Sequence, residues 1–433
     1  MPHTPQPYVA IEHPQWCKSA TIYQVNTRQF TSEGTFAAAM AHLPRVRDLG
    51  VDILWLMPVQ PIGAKNRKGS LGSPYAVADY YGVNPEFGTA DDLKSFVDAA
   101  HGLGMKVILD WVPNHTAWDS NLVTEHPEWY LRDFKGDFRP TAWWDWDDII
   151  ELDYSQEPVR RYMAEAMVHW IREYDLDGYR CDVAGFVPTD FWEQVRRELD
   201  AVKPVFLLAE WESKDLHRAA FDMTYSWTWY QAVHDICMGR ADLNALFTWY
   251  SWNEKHWPDD AIRMLFVSNH DKNAWEGTEF ENFGEGLRNA IVLSVLGEGM
   301  PLIYNGQEAG YDHRLAFFER DPIVWREHEH ADLYRRLFAL KHENTALWNG
   351  RWGARTERVR HDRPNEVLSF VRSNETHAVF AVFNFSAQEQ QVTMLDANFH
   401  GDYTDFDSGE PVTMSDLQAQ MTLAPWSCRV FVR

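Results

Sequence analysis

Eight short apolar runs, separated by longer segments of helical period, constrain the fold of this chain more than any other feature of its 433 residues. The runs are rich in Ile, Val and Leu, as buried strands are, and the segments between them carry apolar residues at helical spacing. This alternation predicts strand–helix units and a parallel sheet, and eight units close a (β/α)8 barrel, the TIM barrel. The predicted strands begin at Ala20, Val51, Met105, Asp177, Pro204, Phe221, Ile262 and Met300.

Two stretches depart from this alternation and determine the predicted domain organisation. The connection between the third and fourth runs is longer than the others and contains "HPEWYLRDFKGDFRPTAWWDWDDIIELDY". From residue 349 onward, short alternating strands and polar turns replace the helical segments, which indicates antiparallel β structure. We therefore predict a barrel domain (1–110 and 151–348), an inserted lid subdomain after strand three (111–150) and a C-terminal antiparallel β-sandwich domain (349–433).

The net charge of −24 and the distribution of apolar residues disfavour two kinds of partner, nucleic acid and membrane. A surface this acidic repels the phosphate backbone, so we expect no nucleic-acid partner. No stretch reaches the roughly 18 consecutive apolar residues of a membrane helix, so we expect no membrane partner. The oligomeric state stays open at this stage.

The cysteines and the N-terminal sequence bear on the compartment. Four scattered cysteines form neither a CxxC pair nor a disulfide framework, which predicts free thiols in a reducing compartment. The N-terminal sequence lacks both a basic region and an apolar region of the kind found in export signals. We therefore expect a cytoplasmic protein, with a secreted or periplasmic location as the alternative if an export signal preceded Met1.

Polar side chains close four of the predicted strands. In a (β/α)8 barrel the active site lies at the C-terminal ends of the strands, so these side chains would meet at one rim. Several carboxylates buried together cost free energy unless they are paired or have a task, which favours an active site over four unrelated loops. The side chains are Asp110, Asn114 and His115 after run three, Arg180 and Asp182 after run four, Glu210 after run five, and Asn269, His270 and Asp271 after run seven.

Arg180 and Asp182 explain why a strand-like run carries opposite charges. The two residues are two positions apart on one strand, so their side chains share a face. Arg180 would keep Asp182 ionised by charge and hydrogen bonding, as a carboxylate nucleophile requires. The alternative is a structural ion pair at the strand end. Cys181 would point to the opposite side as a small buried residue.

Four segments on the third, fourth, fifth and seventh predicted strands resemble the signature segments of the α-amylase family of glycoside hydrolases. In chain order they are "DWVPNH", "DGYRCDVA", "AEWE" and "FVSNHD". The likeness extends to "SPYAVADYYGVNPEFGT", "PLIYNGQEAG" and "LAPWSCRVFV". It implies a (β/α)8 barrel enzyme that cleaves glycosidic bonds with retention of configuration and needs no cofactor for the chemistry.

The resemblance also implies roles for individual residues. It makes Asp182 the nucleophile, Glu210 the general acid and base, and Asp271 the carboxylate that stabilises the transition state. The side chains that would line the sugar subsite are Tyr75, His115, Arg180 and His270. Asp110 and Asn114 would orient the loop that follows strand three.

Retaining cleavage explains why two carboxyl groups are needed. One must be ionised to attack the anomeric carbon, while another, about 5 to 5.5 Å away, must be protonated to release the leaving oxygen. Groups with opposite tasks need surroundings that push their pKa values apart. Arg180 would lower the pKa of Asp182, and the apolar neighbours of Glu210 would raise the pKa of Glu210.

The predicted activity is α-amylase-like hydrolysis of α-1,4-glucosidic bonds in starch-type glucans or maltooligosaccharides through a covalent glucosyl-enzyme. The alternative is an α-glucosidase or a transglycosylase for short α-glucosides, because Gly185 and Phe186 stand where many relatives carry Lys-His. A non-catalytic carbohydrate-binding or transporter-partner protein is disfavoured, since the chain keeps all three carboxylates. The tryptophans of "TAWWDWDD" and "SWTWY" would form either stacking subsites or core.

A structural calcium ion is a further expectation that the sequence leaves open. The first connection, "NTRQFTSEGTF", is short of carboxylates for a hard cation. The loss of the Lys-His pair also weakens the expectation of a calcium site. A site that includes Asn114 and an acid of "DWDDIIELD" is the alternative to a metal-free loop.

Overall fold

The computed structural model describes residues 6–416 and 419–433. Residues 1–5, where the N-terminal sequence considered for an export signal begins, lie outside the described residues. Within the described part of the chain, every helix falls short of the length and hydropathy that crossing a membrane requires.

Parallel strands close into an eight-stranded barrel, as the eight apolar runs predict. The strands up to the end of the barrel are β1 (Ile22–Val25), β2 (Ile53–Leu56), β3 (Lys106–Trp111), β4 (His115–Ala117), β5 (Ile149–Glu151), β6 (Gly178–Cys181), β7 (Phe206–Ala209), β8 (Met223–Tyr225), β9 (Ile262–Phe266) and β10 (Met300–Tyr304). Their order around the barrel is β1-β10-β9-β8-β7-β6-β3-β2, while β4 and β5 form a separate antiparallel pair. Each barrel strand lies within one of the eight predicted runs, so that prediction is confirmed.

The helices lie in the connections, where the helical spacing predicts them. They are α1 (Thr27–Phe30), α2 (Phe36–Met40), α3 (Leu43–Asp48), α4 (Ala90–Gly102), α5 (Asn121–Glu125), α6 (Glu157–Tyr174), α7 (Thr189–Asp200), α8 (Trp227–Cys237), α9 (Asn244–His256), α10 (Glu279–Phe283), α11 (Leu287–Leu296) and α12 (Glu329–Glu343). Helix α4 shows why such segments fold locally. Thr89 and Asp92 form a capping box at its start, and its buried face carries Leu93, Phe96 and Val97.

Antiparallel strands follow the last helix, as the change of pattern near residue 349 predicts. They are β11 (Thr356–Arg358), β12 (Val367–Ser373), β13 (Ala378–Asn384), β14 (Gln390–Thr393), β15 (Gly401–Asp405), β16 (Pro411–Met414), β17 (Gln420–Leu423) and β18 (Cys428–Val432). Six of them form a sheet of order β11-β12-β13-β18-β15-β16, and β14 pairs with β17. Phe380, Phe399 and Phe431 pack together in the core of this region.

The chain groups into two compact units. The first comprises Met1–Pro14, Ile22–Tyr225 and Tyr304–His328. The second comprises Gln15–Thr21, Ser226–Ile303 and Glu329–Arg433. The predicted boundaries of a barrel domain, a lid subdomain and a β-sandwich domain remain a prediction.

Candidate active site

Arg180 of β6 is the centre of a buried charge cluster in the first unit. Its Nη1 donates to Asp110 Oδ1 at 2.7 Å and to Asp182 Oδ1 at 2.9 Å, and its Nη2 lies 3.0 Å from Glu210 Oε2. The parallel register places Asp110 beside Arg180, while Asp182 and Glu210 follow directly on the ends of β6 and β7. One guanidinium therefore contacts three carboxylates from three neighbouring strands.

Three aromatic rings surround the same guanidinium. The ring centroids of Trp55, Tyr75 and Tyr225 lie 5.2, 5.6 and 5.8 Å from Arg180 Cζ. Such cation–π contacts favour a cation at this point. Trp55 Nε1 and the Tyr75 hydroxyl also donate to Asp110 Oδ2, at 3.1 and 2.9 Å.

Sequence reasoning missed Trp55 and Tyr225 as parts of this cluster. The available signal was their position, because each lies at or near the C-terminal end of a barrel strand. A search restricted to charged ends passes over aromatic residues, which look like ordinary core inside an apolar run.

The cluster holds fewer cations than carboxylates. Burial raises the pKa of Asp110 from 3.8 to about 7, against the lowering effect of Arg180. Burial alone would lower the pKa of Arg180, but Asp110 and Glu210 raise it well above its ordinary value. Arg180 is therefore a permanent cation, and three carboxylates around one cation favour the retention of a proton within the cluster.

Val183, which follows Asp182, has a strained backbone conformation. Its φ of 38° and ψ of 45° are left-handed, which is rare for a β-branched residue and costs on the order of 1–3 kcal/mol. Its backbone N–H donates to Glu210 Oε2 at 2.7 Å. The strained turn after Asp182 thus provides a hydrogen bond to Glu210.

His115 approaches Asp182 from the other side. His115 Nε2 lies 4.0 Å from Asp182 Oδ2, and burial lowers the pKa of the imidazole to about 4. The ring is therefore neutral near pH 7. Asn114 Nδ2 lies 3.2 Å from His115 Nδ1, and a hydrogen bond with the Tyr75 backbone also holds the ring.

Two of the acids offered with Asn114 for a calcium site, Asp147 and Asp148, have another partner. Lys68 Nζ lies 3.1 Å from Asp147 Oδ1 and 3.6 Å from Asp148 Oδ1, and it donates to the carbonyl of Asp145 at 2.6 Å. Across residues 6–416 and 419–433, no group of three or more His, Cys, Asp or Glu side chains could hold a metal ion. Lys68 therefore occupies two acids of the predicted donor set, and a calcium site stays a prediction.

His270 and Asp271 follow β9 in the second unit. His270 is buried, whereas the Asp271 side chain is 42% exposed, and His270 Nε2 lies 3.3 Å from Asp271 Oδ2. Asp271 immediately precedes a π-helical turn, Lys272–Glu276, whose first N–H donates to Asn269 Oδ1 at 2.8 Å. Such turns are rare and are frequent at functional sites.

A row of aromatic rings extends from His115 across the first unit. The Trp146 ring lies 6.1 Å from His115 and stacks on Trp144 at 5.0 Å. Trp144 lies 6.5 Å from Phe186, which lies 5.2 Å from Trp211. We call Trp144, Trp146, Phe186 and Trp211 the aromatic row. Trp144 is 55% exposed and Phe186 is 37% exposed, so the row is accessible to a ligand.

The two tryptophan-rich stretches therefore differ. Trp143 and Trp144 of "TAWWDWDD" are exposed, which agrees with a stacking surface. Trp229 and Tyr230 of "SWTWY" are buried, so that part of the second stretch forms core.

Comparison with known proteins places these observations in one family. The family model described as Alpha amylase, catalytic domain, matches residues 21–349. The chain is 30% identical over 427 residues to Alpha-amylase MalA of Haloarcula japonica, a match that covers 94% of this chain but only 60% of that relative's length.

Two solved structures match almost end to end. An alpha-amylase from Lactobacillus plantarum is 32% identical with a TM-score of 0.85, and the match covers 96% of this chain and 99% of that one. A maltogenic alpha-amylase, AmyB from Thermotoga neapolitana, is 30% identical with a TM-score of 0.87 and the same coverage.

Proposed function

The chain belongs to the α-amylase family of glycoside hydrolases, and from that premise we propose that it hydrolyses α-1,4-glucosidic bonds of starch-type glucans or maltooligosaccharides with retention of configuration. The observation that carries the proposal is the contact of one buried guanidinium, Arg180, with both Asp182 and Glu210. Retaining hydrolysis needs two carboxyl groups close together with different protonation states. The reaction as proposed needs no cofactor.

We assign the nucleophile to Asp182. Its ion pair with Arg180 favours the ionised form, and the side chain is 10% exposed, so little water competes with a sugar. Oδ1 accepts from Arg180, and we assign the attack on the anomeric carbon to Oδ2. The attack forms a bond from Oδ2 to the sugar carbon as the bond to the leaving oxygen breaks.

We assign the proton donor to Glu210. Arg180 Nη2 and the Val183 N–H both contact Oε2, so Oε2 serves as an acceptor and Oε1 is assigned to proton transfer. Glu210 gives its proton to the leaving oxygen in the first step. In the second step it takes a proton from water, and that water displaces Asp182 from the sugar.

The remaining roles divide into sugar contact and support. We assign Asp271 to stabilisation of the transition state, and His115, His270 and Tyr75 to contact with the sugar. Arg180 was expected to line the sugar subsite, but its side chain is fully buried beneath rings and carboxylates. We therefore assign Arg180 to positioning the carboxylates rather than to sugar contact.

A second candidate function is transfer of the glucosyl group to another sugar. The aromatic row supports it, because Phe186 presents an apolar ring at the position where many relatives carry a charged pair. An apolar platform binds the flat faces of sugars and holds water poorly. Since water competes with a sugar acceptor for the glucosyl group, such a platform favours transfer. Short α-glucosides would be the substrates of this reaction.

We further propose a cytoplasmic location, which the four scattered cysteines without a CxxC pair support. An α-glucan or maltooligosaccharide is the binding partner in this proposal, and nucleic acid is not, given the net charge of −24. A calcium ion at Asn114 has no part in the proposed reaction.

Incubation with maltoheptaose tests the proposal. Released sugars are separated by chromatography, and their first-formed anomer is read by proton NMR. Internal cuts that yield α-anomeric maltose and maltotriose are expected. Products longer than the substrate would favour the second candidate, glucose released one unit at a time would favour an α-glucosidase, and β-anomeric products would contradict the retaining mechanism.

A further inference from the structure

Two tryptophans of the aromatic row lie on a segment without regular secondary structure. Residues 142–148 belong to neither a helix nor a strand, and we call them the lid turn. The turn carries Trp144 and Trp146 among three acids. The acids are Asp145, Asp147 and Asp148. Like charges this close repel one another, so contacts from outside the turn must fix the two rings.

Lys68, in the connection after β2, supplies such a contact. Its Nζ donates to the Asp145 carbonyl at 2.6 Å and lies 3.1 Å from Asp147 Oδ1 and 3.6 Å from Asp148 Oδ1. One ammonium group therefore holds the turn on both sides of Trp146. Burial alone would lower the pKa of Lys68, but the hydrogen bond with Asp147 and the charge of Asp148 raise it, so the group is a cation.

The burial of Asp148 gives this contact more weight than an exposed ion pair has. The Asp148 side chain is 8% exposed, whereas the Asp147 side chain is 74% exposed. Exposed pairs contribute little, but a buried carboxylate that loses its cation keeps an uncompensated charge. Loss of Lys68 would therefore favour a movement of the turn that brings Asp148 to water.

The loop that carries Lys68 is itself held on both sides of the lysine. We call residues 63–72 the β2 loop. At its start, two backbone N–H groups donate to Asp119 Oδ2 at 2.8 and 3.1 Å. Towards its end, the Ser70 N–H donates to Glu319 Oε1 at 2.8 Å. The ammonium group is therefore presented to the lid turn from a fixed backbone.

Trp146 connects the lid turn to the candidate catalytic residues. Its ring lies 6.1 Å from His115 and stacks on Trp144 at 5.0 Å. His115 Nε2 in turn lies 4.0 Å from Asp182 Oδ2. The position of the turn therefore decides where two aromatic rings stand relative to a residue assigned to sugar contact.

We propose that Lys68 is a positioning residue for substrate binding, whose ammonium group holds the lid turn so that Trp144 and Trp146 form one surface for the sugar chain. The inference rests on the proposed function, which supplies a sugar chain long enough to reach both rings. Lys68 acts through the rings and not on the reacting atoms. Its loss should therefore weaken the binding of long substrates and leave the chemical step intact.

Lys68→Met removes the charge and keeps most of the length of the side chain. We expect a KM for maltoheptaose about five- to ten-fold higher, an unchanged kcat, and a lesser effect on a short aryl glucoside. Lys68→Arg keeps the charge and should restore most of the loss. Lys94→Met is the matched control, since it breaks an exposed ion pair with Asp98 on α4 and should leave KM unchanged. Equal KM values for Lys68→Met and the parent chain would overturn the proposal.

Salt separates an effect of the charge from an effect of packing. The sugar is neutral, so salt does not screen its attraction to the protein. Screening weakens the attraction between Lys68 and the acids in the parent chain, and it weakens the repulsion among the acids in Lys68→Met. The ratio of the two KM values should therefore fall from about 0.05 M to about 1 M NaCl. A constant ratio would overturn the proposal.

Hydrogen–deuterium exchange without sugar tests the contact independently of activity. Peptides that contain the lid turn should exchange faster in Lys68→Met than in the parent chain, whereas Lys68→Arg should match the parent chain. Unchanged exchange of the turn in Lys68→Met would overturn the inference. A parent chain without activity on maltoheptaose would refute the proposed function, and the exchange result would still decide whether Lys68 holds the turn.

Discussion

Arg180 Nη1 donates to Asp110 Oδ1 at 2.7 Å, and both side chains are fully buried. Neither group can exchange this partner for water. The pair therefore fixes the guanidinium that contacts the two carboxylates assigned to catalysis. Burying the Asp110 carboxylate for this purpose costs free energy of folding. The cost depends on pH, because an ionised carboxylate is harder to bury than a neutral one.

Asp110→Asn should reduce the loss of folding stability that the protein undergoes as pH rises. The pKa of Asp110 is about 7 in the folded chain and near 3.8 when exposed. The folded state therefore binds more protons between these values, so its stability falls as pH rises from about 4 to about 7. This loss amounts to a few kcal/mol in order of magnitude, and the variant does not undergo it.

Urea unfolding at pH 5 and at pH 8 measures the effect. The free energy of unfolding of the variant, relative to the parent chain, should be higher at pH 8 than at pH 5. A relative stability that stays constant between the two values would show that Asp110 does not titrate in this range.

His115→Gln should change the pH dependence in the opposite direction. The pKa of His115 is about 4 when folded and near 6.5 when exposed, so the unfolded chain binds more protons between these values. The parent chain therefore loses stability, on the order of 3 kcal/mol, as pH falls from about 6.5 to 4. Glutamine does not titrate, so the variant loses less.

The same urea titrations at pH 4 and at pH 7 test this. His361→Gln is an instructive control, because burial also lowers the pKa of His361 to about 4 in a region remote in sequence from the site. Both substitutions should flatten the pH dependence, but only His115→Gln should also change the turnover of maltoheptaose.

The barrel could be predicted from the sequence because a strand buried on both faces must be an apolar run. The run from Met105 contains β3, and the run from Asp177 contains β6, with differences of only a few residues. The pairing of β4 with β5 could not, because it joins His115 to Glu151 across a long insertion. Such pairing depends on contacts distant in sequence.

The site could be predicted only in part. The charged strand ends were visible because a buried run rarely ends in a carboxylate without a reason. The left-handed backbone of Val183 was not, since β-branched residues disfavour it and tertiary contacts impose it here. The full burial of Arg180 was also invisible, because rings from β2, from the connection after β2 and from β8 surround the guanidinium.

Asp182→Asn should lower kcat for maltoheptaose by about 10⁴-fold, because a neutral amide cannot attack the anomeric carbon. The side chain keeps its size, so the melting temperature should stay near that of the parent chain. Initial rates and a thermal melt measure the two quantities. Unaltered turnover would refute Asp182 as the nucleophile.

Glu210→Gln should affect substrates unequally. Loss of the proton donor should lower kcat about 10²- to 10⁴-fold for maltoheptaose, whose leaving oxygen needs a proton. An aryl maltoside with an acidic phenol leaves without that proton, so its first step should be spared. Equal losses on both substrates would indicate that Glu210 has a structural role only.

Gly185→Ala should weaken the aromatic row without touching a carboxylate. A Cβ at Gly185 would lie 2.1 Å from the Trp211 ring, so the ring must move, and Trp211 adjoins both Phe186 and Glu210. We expect a several-fold higher KM for maltoheptaose and a smaller share of transfer products, with a lesser effect on a short aryl glucoside.

Gly102→Ala is the control, since a Cβ at this position in α4 meets nothing within 4 Å and the substitution should leave both quantities unchanged. The ratio of hydrolysis to transfer, followed by chromatography, separates the two candidate functions. If Gly185→Ala raises KM but leaves that ratio unchanged, the aromatic row does not hold the acceptor sugar.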